Sequence, residues 1–306
     1  MHNLSIIPDA NQTLAQSLTE ERSIAMFQQI QRMAIATPIT SNPITTTYVG
    51  PPKSLEIPME SGTPILLLHG FDSSLLEFRR LLPLLQQQQS TWAIDLLGFG
   101  FTQRSPELTF TPTAIQQHLY HTWQTLIGQP MILVGASMGG AVALDFCLTY
   151  PEAVAKLVLL DSAGMAQAPD MSKMMVPPLG LIAAEFLRNP WVRQNISRAA
   201  YFDKSLASAD ALTCSRLHTF CPGWRRAMIA FTRSGGYTFF SESVVKSIAC
   251  PTLIIWGRND EILGTADAET FAGAIANSQL KWCDRCGHVP HLEQPEQTAE
   301  YILNFV

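Results

Sequence analysis

Short apolar runs alternate along much of the chain with segments whose apolar residues recur every three or four positions. The runs are typical of strands buried on both faces of a parallel sheet, and the periodic segments of amphipathic helices. This order predicts an α/β fold, a mostly parallel sheet flanked by helices. The predicted strands cover residues 44–49, 65–68, 92–95, 131–134, 157–161, 252–256 and 280–283, and the helices between and after them 74–87, 113–126, 141–148, 266–276 and 295–306.

The pattern before the first strand predicts an N-terminal lead-in, residues 1–43, that packs on the domain. Glu20 and Glu21 put acidic side chains in the first turn of a helix that the periodicity extends to Ala36. Prolines keep the following stretch extended, and residues 44–49 are expected to form an edge strand.

The alternation stops after Gly164 and resumes near residue 248. Helical periodicity replaces it at 179–188, 191–201 and 207–220. Residues 164–247 are therefore predicted to be a helical cap, inserted into a core made of residues 44–163 and 248–306. The cap is rich in large and soft apolar side chains, which suits either a lipophilic pocket or an ordinary packed core. These side chains are Met165, Met171, Met174, Met175, Leu179, Leu181, Ile182, Phe186 and Trp191.

The amino-acid composition limits which classes of binding partner and which cellular compartment fit the protein. Of the 306 residues 47% are hydrophobic and only 15% are charged, and the net charge is −5. A negative chain without a Lys/Arg-rich run argues against nucleic acid, while the low charge content permits peripheral contact with a membrane. The N-terminus does not resemble a signal peptide, and no run of 18 apolar residues predicts a transmembrane helix, so we expect a cytoplasmic protein. The oligomeric state stays open.

The cysteines are expected to be free thiols in a reducing compartment. Cys283 and Cys286 have the spacing of a zinc-ligand pair, but no second pair completes a site. Gly287 separates them from His288, unlike a haem-attachment motif. We therefore expect no metal or haem at this motif. The six cysteines are Cys147, Cys214, Cys221, Cys250, Cys283 and Cys286.

The sequence Gly135-Ala136-Ser137-Met138-Gly139 lies between a predicted buried strand and a predicted helix. In this context Gly-x-Ser-x-Gly is typical of a nucleophile elbow, a sharp strained turn whose neighbours must be small. The turn lifts the serine hydroxyl clear of the sheet, and the helix N-terminus behind it favours negative charge. Ser137 is therefore the predicted nucleophile.

A nucleophilic serine needs a general base, and in this scaffold the base follows it in the chain. His288, just past the last predicted strand, is the predicted base and later acid. His291 is expected to have a structural role. His218 lies in the predicted cap, where a place at the substrate pocket or on the surface fits better.

The base needs a carboxylate that accepts a hydrogen bond from one imidazole nitrogen. Asp260 follows the strand at 252–256 and is the predicted acid. Asp161, at the end of the preceding strand, is an alternative, and Glu261 is a weaker one.

Acyl transfer builds negative charge on an oxygen, which needs N–H donors aimed at it. The backbone N–H of Met138, directly after the nucleophile, is one predicted donor. The N–H of Phe71, in the loop after the strand at 65–68, is the other. Asp95 ends a neighbouring strand and is expected to organise a loop there rather than react.

The chain from about residue 62 to 306 resembles the α/β-hydrolase fold superfamily. That resemblance implies a helical cap between the sixth and seventh strands of the sheet. A serine nucleophile is unlike the aspartate of haloalkane dehalogenases and epoxide hydrolases. The matching motifs are His69-Gly70-Phe71, Gly135-Ala136-Ser137-Met138-Gly139, Trp256-Gly257-Arg258-Asn259-Asp260 and Gly287-His288.

Two further stretches are similar to cyanobacterial and plastid hydrolases of the chlorophyll dephytylase-like group, which cleave long prenyl esters. They are residues 70–80, Gly-Phe-Asp-Ser-Ser-Leu-Leu-Glu-Phe-Arg-Arg, and residues 233–237, Arg-Ser-Gly-Gly-Tyr. This narrower likeness implies an ester with a long acyl or prenyl chain.

The sequence thus predicts a serine hydrolase that cleaves a lipophilic carboxylic ester through an acyl-enzyme, with no metal or organic cofactor. Ser137 attacks, His288 shuttles the proton, Asp260 orients His288, and the N–H groups of Phe71 and Met138 bind the oxyanion. Two other hypotheses stay open. One is a carbon–carbon bond hydrolase, cofactor-free haloperoxidase or lyase on the same fold, and the other is a small-ligand receptor without useful turnover.

Overall fold

The computed structural model describes residues 12–51, 62–166, 172–237 and 239–306, except the side chain of Met174. The first eleven residues of the predicted lead-in and Met171 of the predicted cap lie outside the described residues, as does the Met174 side chain. In the described part the strands are β1 Gln31–Ile35, β2 Ile44–Val49, β3 Ile65–Leu68, β4 Thr91–Ile94, β5 Met131–Ala136, β6 Val154–Leu160, β7 Thr252–Gly257 and β8 Ser278–Cys283.

The helices of the described residues surround this sheet, and five of them lie between β6 and β7. They are α1 Gln12–Gln16, α2 Glu21–Gln29, α3 Leu82–Leu85, α4 Pro112–Leu126, α5 Met138–Thr149, α6 Leu179–Arg188, α7 Pro190–Ala200, α8 Ala209–Leu217, α9 Trp224–Arg233, α10 Glu242–Val245, α11 Ala266–Ala274, α12 Pro290–Glu293 and α13 Pro295–Phe305. Helices α9 and α10 have no counterpart in the sequence prediction. No helix in the described part of the chain is long and apolar enough to cross a membrane.

One eight-stranded sheet has the order β1-β2-β4-β3-β5-β6-β7-β8. The strands β3 to β8 run parallel, and β1 and β2 join antiparallel. The predicted mostly parallel α/β sheet is confirmed. Strand β3 pairs with β4 on one side and β5 on the other, so the connections diverge between β3 and β5. A crevice forms at such a point, outside the carboxyl ends of the strands.

Successive residues of β3 belong to opposite layers of the core. Leu66 and Leu68 pack in one apolar cluster and Ile65 and Leu67 in the other, because neighbouring side chains of a strand point to opposite faces. Helices cover both faces, so all four residues are buried. This is why the strand is a continuous apolar run and not an alternating one.

The predicted lead-in helix is wrong at its C-terminal end. Helix α2 ends at Gln29, and Gln31–Ile35 forms β1. β1 pairs antiparallel with β2, from Gln31 opposite Tyr48 to Ile35 opposite Ile44. The predicted edge position of residues 44–49 is therefore wrong as well, since β1 is the edge. Cross-strand hydrogen bonds and the full burial of Ile35 outweigh the helical periodicity of this segment.

Candidate active site

Ser137 stands on a strained turn between β5 and α5. Its φ is +51°, and its carbonyl accepts hydrogen bonds from Gly140 N at 2.9 Å and Ala163 N at 3.0 Å. A Cβ on Gly139 would collide with the backbone of β3, and one on Gly140 with Ser162. Small residues are thus required where the sequence analysis expected them. Met138 is the first residue of α5, so its N–H has no acceptor within the helix.

His288 and Asp260 form a buried hydrogen-bonded pair. His288 Nδ1 lies 2.8 Å from Asp260 Oδ2. The other carboxylate oxygen of Asp260 accepts the N–H groups of Ile262 at 2.7 Å and Leu263 at 3.0 Å. These donors hold the Asp260 side chain in place, while the N–H of His288 donates to Ala200 O at the end of α7 at 2.7 Å. This donor is the backbone N–H of His288, so α7 holds the main chain of His288 and Asp260 holds its imidazole.

Asp161 lies beside this pair without replacing Asp260. Within the described residues, Asp161, Asp260 and His288 form the one group of three ligand-type side chains, with atoms within 4.8 Å of one another. Asp161 Oδ1 accepts the N–H of Gly257 at 2.9 Å. Burial raises the pKa of the Asp161 carboxyl well above its usual range, and the nearby Asp260 charge raises it further. The Asp161 carboxyl therefore favours its neutral form.

The loop after β3 lies directly beside Ser137. Gly70 packs so closely that a Cβ on it would lie 3.3 Å from the Ser137 Cβ. The Gly70 N–H donates to Glu77 Oε2 at 3.0 Å, and His291 Nε2 donates to Glu77 Oε1 at 3.1 Å. Glu77 therefore fixes the loop that carries Phe71, and His291 acts on Glu77 and not on Ser137.

The same contacts set the ionisation of Glu77. Burial by itself raises its pKa, but the hydrogen bond and positive charge of His291, with a hydrogen bond from Ser73, outweigh burial and lower the pKa to about 2. Glu77 is thus a carboxylate at neutral pH. Glu77 could not be singled out from the sequence, because its partner His291 lies 214 residues away in the chain.

Asp72 ties this loop to the helices between β6 and β7. Its Oδ1 accepts Trp224 Nε1 at 2.8 Å and His218 Nε2 at 3.1 Å, and its Oδ2 pairs with Arg193. Burial raises the pKa of Asp72, but the Arg193 charge and the His218 and Trp224 hydrogen bonds outweigh it and lower the pKa below its usual range. The prediction that His218 lies at the substrate pocket or on the surface is wrong, because its side chain is fully buried against Asp72.

Asp95 organises a neighbouring loop, as the sequence analysis expected. Its carboxylate accepts Thr47 Oγ1 at 2.5 Å, Leu75 N at 2.7 Å and Phe101 N at 2.9 Å. These bonds join β2 to the loops after β3 and β4.

A cavity of about 350 Å³ opens over Ser137 and His288. Phe71, half-exposed, stands at its wall and packs edge-on against Phe99. Most of the lining is apolar. The apolar side chains include Leu76, Leu187, Ile196, Ala200, Ile262, Val289 and Leu292.

The apolar side chains that the sequence analysis placed in the cap are divided between two environments. Met165 and Met175 are buried in packing, and neither lines this cavity. Leu179, Ile182 and Phe186 point outward and are exposed. The cavity is lined instead by Leu187 and Ile196, which the analysis did not name.

Comparison with known proteins agrees with this architecture. The family model described as the alpha/beta hydrolase family matches residues 65–301. The chain is 36% identical over 251 residues to the alpha/beta hydrolase domain-containing protein VTE7 of Arabidopsis thaliana, covering 81% of this chain and 76% of that protein.

Two more distant relatives carry more specific names. The chain is 28% identical over 254 residues to 2-hydroxy-6-oxo-6-(2'-aminophenyl)hexa-2,4-dienoic acid hydrolase of Metapseudomonas resinovorans, covering 80% of this chain and 84% of that protein. It is 26% identical over 259 residues to monoacylglycerol lipase ABHD6 of Bos taurus, covering 79% of this chain and 74% of that protein.

Proposed function

The chain belongs to the alpha/beta hydrolase family, and on that premise we propose that it is a serine hydrolase that cleaves a lipophilic carboxylic ester through an acyl-enzyme. One observation carries the proposal. His288, which is hydrogen-bonded to Asp260, lines the same cavity that Ser137 lines on its strained turn. An activated serine requires this set of groups.

In the proposed reaction Ser137 Oγ attacks the ester carbonyl carbon and its proton passes to His288 Nε2. The Nδ1–H of His288 donates to Asp260, which leaves Nε2 as the basic nitrogen and stabilises the imidazolium that forms. The imidazolium then gives the proton to the departing alkoxide, so an alcohol leaves. Water attacks the acyl-enzyme with His288 again as base, releasing the carboxylic acid and restoring Ser137.

The negative oxygen of each tetrahedral intermediate needs donors that are in place before reaction. The N–H of Met138 at the start of α5 and the N–H of Phe71 are the proposed pair. Glu77 supports the second donor, because it holds the adjacent Gly70 N–H at 3.0 Å.

A lipophilic ester is favoured by the apolar lining of the cavity, since burying a long chain there removes apolar surface from water. The name of the monoacylglycerol lipase relative supports ester cleavage. The dienoic acid hydrolase relative supports the alternative, cleavage of a carbon–carbon bond beside a ketone.

The test begins with a fluorophosphonate probe, which phosphonylates an activated serine, followed by mass spectrometry of the labelled peptide. Wild-type protein and Ser137→Ala are then compared on p-nitrophenyl esters of rising chain length. We expect labelling at Ser137, rates that climb toward long chains, and loss of both in the variant. Esters of prenyl alcohols come next.

Two outcomes contradict the ester proposal. Labelling of Ser137 with no ester turnover, but with turnover of a vinylogous diketone, would assign carbon–carbon cleavage. Failure to label Ser137 in folded protein would mean that the serine is not activated.

A further inference from the structure

Helix α6 carries its apolar side chains on the outside of the molecule. Leu179, Ile182 and Phe186 are 53%, 62% and 60% exposed. Their spacing of three and four residues places them on one face of the helix. The opposite side packs inward through Gly180 and Ala184, both buried. A helix that packs only on the domain would have the reverse pattern, with its large apolar side chains inward.

Two more exposed apolar side chains flank α6 in the chain. Val176 precedes α6 and is 42% exposed, and Trp191 at the start of α7 is 72% exposed. We call these five residues, Val176, Leu179, Ile182, Phe186 and Trp191, the α6 patch. Several large apolar side chains exposed within one segment are typical of a surface that is covered in use. Tryptophan is favoured where one side of a surface is apolar and the other is wet, as at the edge of a bilayer.

Positive charge is concentrated in the same part of the chain. Residues 164–247 contain ten Lys and Arg against five Asp and Glu, whereas the rest of the chain contains ten against twenty. The insertion that carries the α6 patch is therefore cationic on an anionic protein. Next to the patch, a surface cavity between α6 and α9 is lined by Leu181 together with Arg188, Arg225, Arg226 and Arg233.

Glu185, the acidic residue of α6, does not cancel the positive charge of these arginines. Glu185 pairs with Arg188 and, at 3.1 Å, with Arg225, so two arginines share one carboxylate. Arg233, at the end of α9, is exposed at the rim. Cationic side chains flanking an exposed apolar helix face match the headgroup and acyl layers of an anionic lipid surface.

We propose that the α6 patch docks on a bilayer containing anionic phospholipids. Helix α6 lies in the plane of the interface, with Ile182 and Phe186 in the acyl boundary. The exposed Arg225 and Arg233 of the adjacent cavity lie against lipid phosphates, whereas Arg226 is held by backbone carbonyls of residues 104–108. The charge of this region selects a lipid surface over a second copy of the chain, because two copies would bring like charges together.

This placement also connects lipid to the cavity over Ser137. Leu187 of α6 and Ile196 of α7 line that cavity, while the neighbouring positions of the same helices form the patch. A lipophilic molecule leaving the bilayer at α6 would enter the cavity along apolar side chains. The docking itself rests on the surface alone and does not depend on the proposed reaction.

Vesicle flotation tests the proposal, in a Ser137→Ala background so that chemistry plays no part. Vesicles of phosphatidylcholine alone are compared with vesicles containing equal parts of phosphatidylglycerol and phosphatidylcholine. We expect binding to the anionic vesicles that weakens as salt rises. Ile182→Ser with Phe186→Ser should weaken it by about tenfold or more. The matched control is Ile24→Ser on α2, an exposed isoleucine outside the insertion, and it should bind like the parent.

Charge is tested separately. Arg225→Glu with Arg233→Glu should abolish the preference for phosphatidylglycerol while leaving the α6 patch intact. In the wild-type background, the Ile182→Ser and Phe186→Ser variant should retain turnover of a short water-soluble ester, which shows that it is folded. Circular dichroism gives the same control if no ester is turned over.

Three results would overturn the proposal. They are no binding of the parent protein to anionic vesicles, equal binding by the parent and the Ile182→Ser and Phe186→Ser variant, and a dimer in analytical ultracentrifugation that this variant dissociates. The last result would assign the patch to a second copy of the chain.

Discussion

Two carboxyl groups lie near the His288 imidazole, and their surroundings differ. Asp260 accepts three hydrogen bonds, from His288 and two backbone N–H groups. Asp161 is fully buried, and burial followed by the nearby Asp260 charge raises its pKa well above the usual range. Asp161 therefore favours its neutral form, while Asp260 is the acid that is hydrogen-bonded to the imidazole.

Exchanging each acid for its amide separates their roles. We expect Asp260→Asn to lower kcat by roughly 10⁴, because the imidazole loses the carboxylate that orients and stabilises it. Asp161→Asn keeps a neutral group of similar shape and should change kcat by less than about tenfold. Steady-state kinetics on one p-nitrophenyl ester measure both, with circular dichroism as the control for folding. An equal loss of kcat in the two variants would show that the reaction needs Asp161 as much as Asp260.

Glu77 links the pH dependence of stability to the loop beside Ser137. Its pKa in the folded protein is about 2, below the ordinary value of 4.5, because His291 and Ser73 outweigh the effect of burial. A carboxyl with a depressed folded pKa contributes stability that is complete above its ordinary pKa and is lost as pH falls toward the folded pKa. The contribution at neutral pH is on the order of 3 kcal/mol.

We therefore expect Glu77→Gln to lower the free energy of unfolding at pH 7 and to flatten its dependence on pH between about 4.5 and 2. Urea unfolding of wild type and variant across this range measures the difference. Parallel pH curves for the two proteins would show that Glu77 does not titrate with folding.

At the scale of elements, one buried carboxylate joins the loop after β3 to the inserted helices. Asp72 meets Arg193 of α7, His218 after α8, and Trp224 of α9. Arg193 and Asp72 are both almost inaccessible to solvent. Removing one member of a buried ion pair leaves the other charge without compensation, which costs far more than breaking a pair in water.

Asp72→Asn should consequently reduce the free energy of unfolding by roughly 3–5 kcal/mol. The matched control is Asp284→Asn, which breaks the exposed pair of Arg258 and Asp284, and it should cost less than about 1 kcal/mol. Chemical denaturation of both variants at one pH gives the comparison. Equal losses of unfolding free energy in the two variants would mean that Asp72 does not join the insertion to the loop.

At the scale of the whole molecule, the N-terminal segment is part of the sheet and not an appendage. β1 covers the edge of β2, and Met26, Phe27 and Ile30 are buried with Ile35 in the core. Arg80 holds Glu20 through two hydrogen bonds of 2.8 and 2.9 Å. The family match begins only at residue 65, so this support lies outside it.

Deleting residues 1–36 should therefore destabilise a chain that still contains every residue of the family match. Each large apolar side chain lost from the core removes about 1.5–3 kcal/mol, and the uncovered β2 edge invites aggregation. Thermal unfolding and soluble yield are compared with a chain that begins at Gln12. An unchanged melting temperature would show that the core is complete without the segment.

The strand-and-helix alternation and the strained turn at Ser137 could be predicted from the sequence alone. Each depends on local chemistry: periodicity of apolar side chains, or the small residues that a strained turn requires. Predictions that needed distances between remote segments were less complete. Residues 31–35 pair with β2 instead of extending α2, and His218 meets Asp72 instead of the cavity.

The sequence by itself determined where along the chain the strands and their flanking helices lie, and it nominated the residues that are proposed to react. The tertiary structure alone decided that Asp260 and not Asp161 pairs with His288, that Glu77 and Asp72 hold the loop beside Ser137, and that α6 turns its apolar face outward. Burial and ionisation depend on groups that are far apart in the chain and close in space. A periodic pattern shows that a helix has an apolar face, but only packing shows what that face meets.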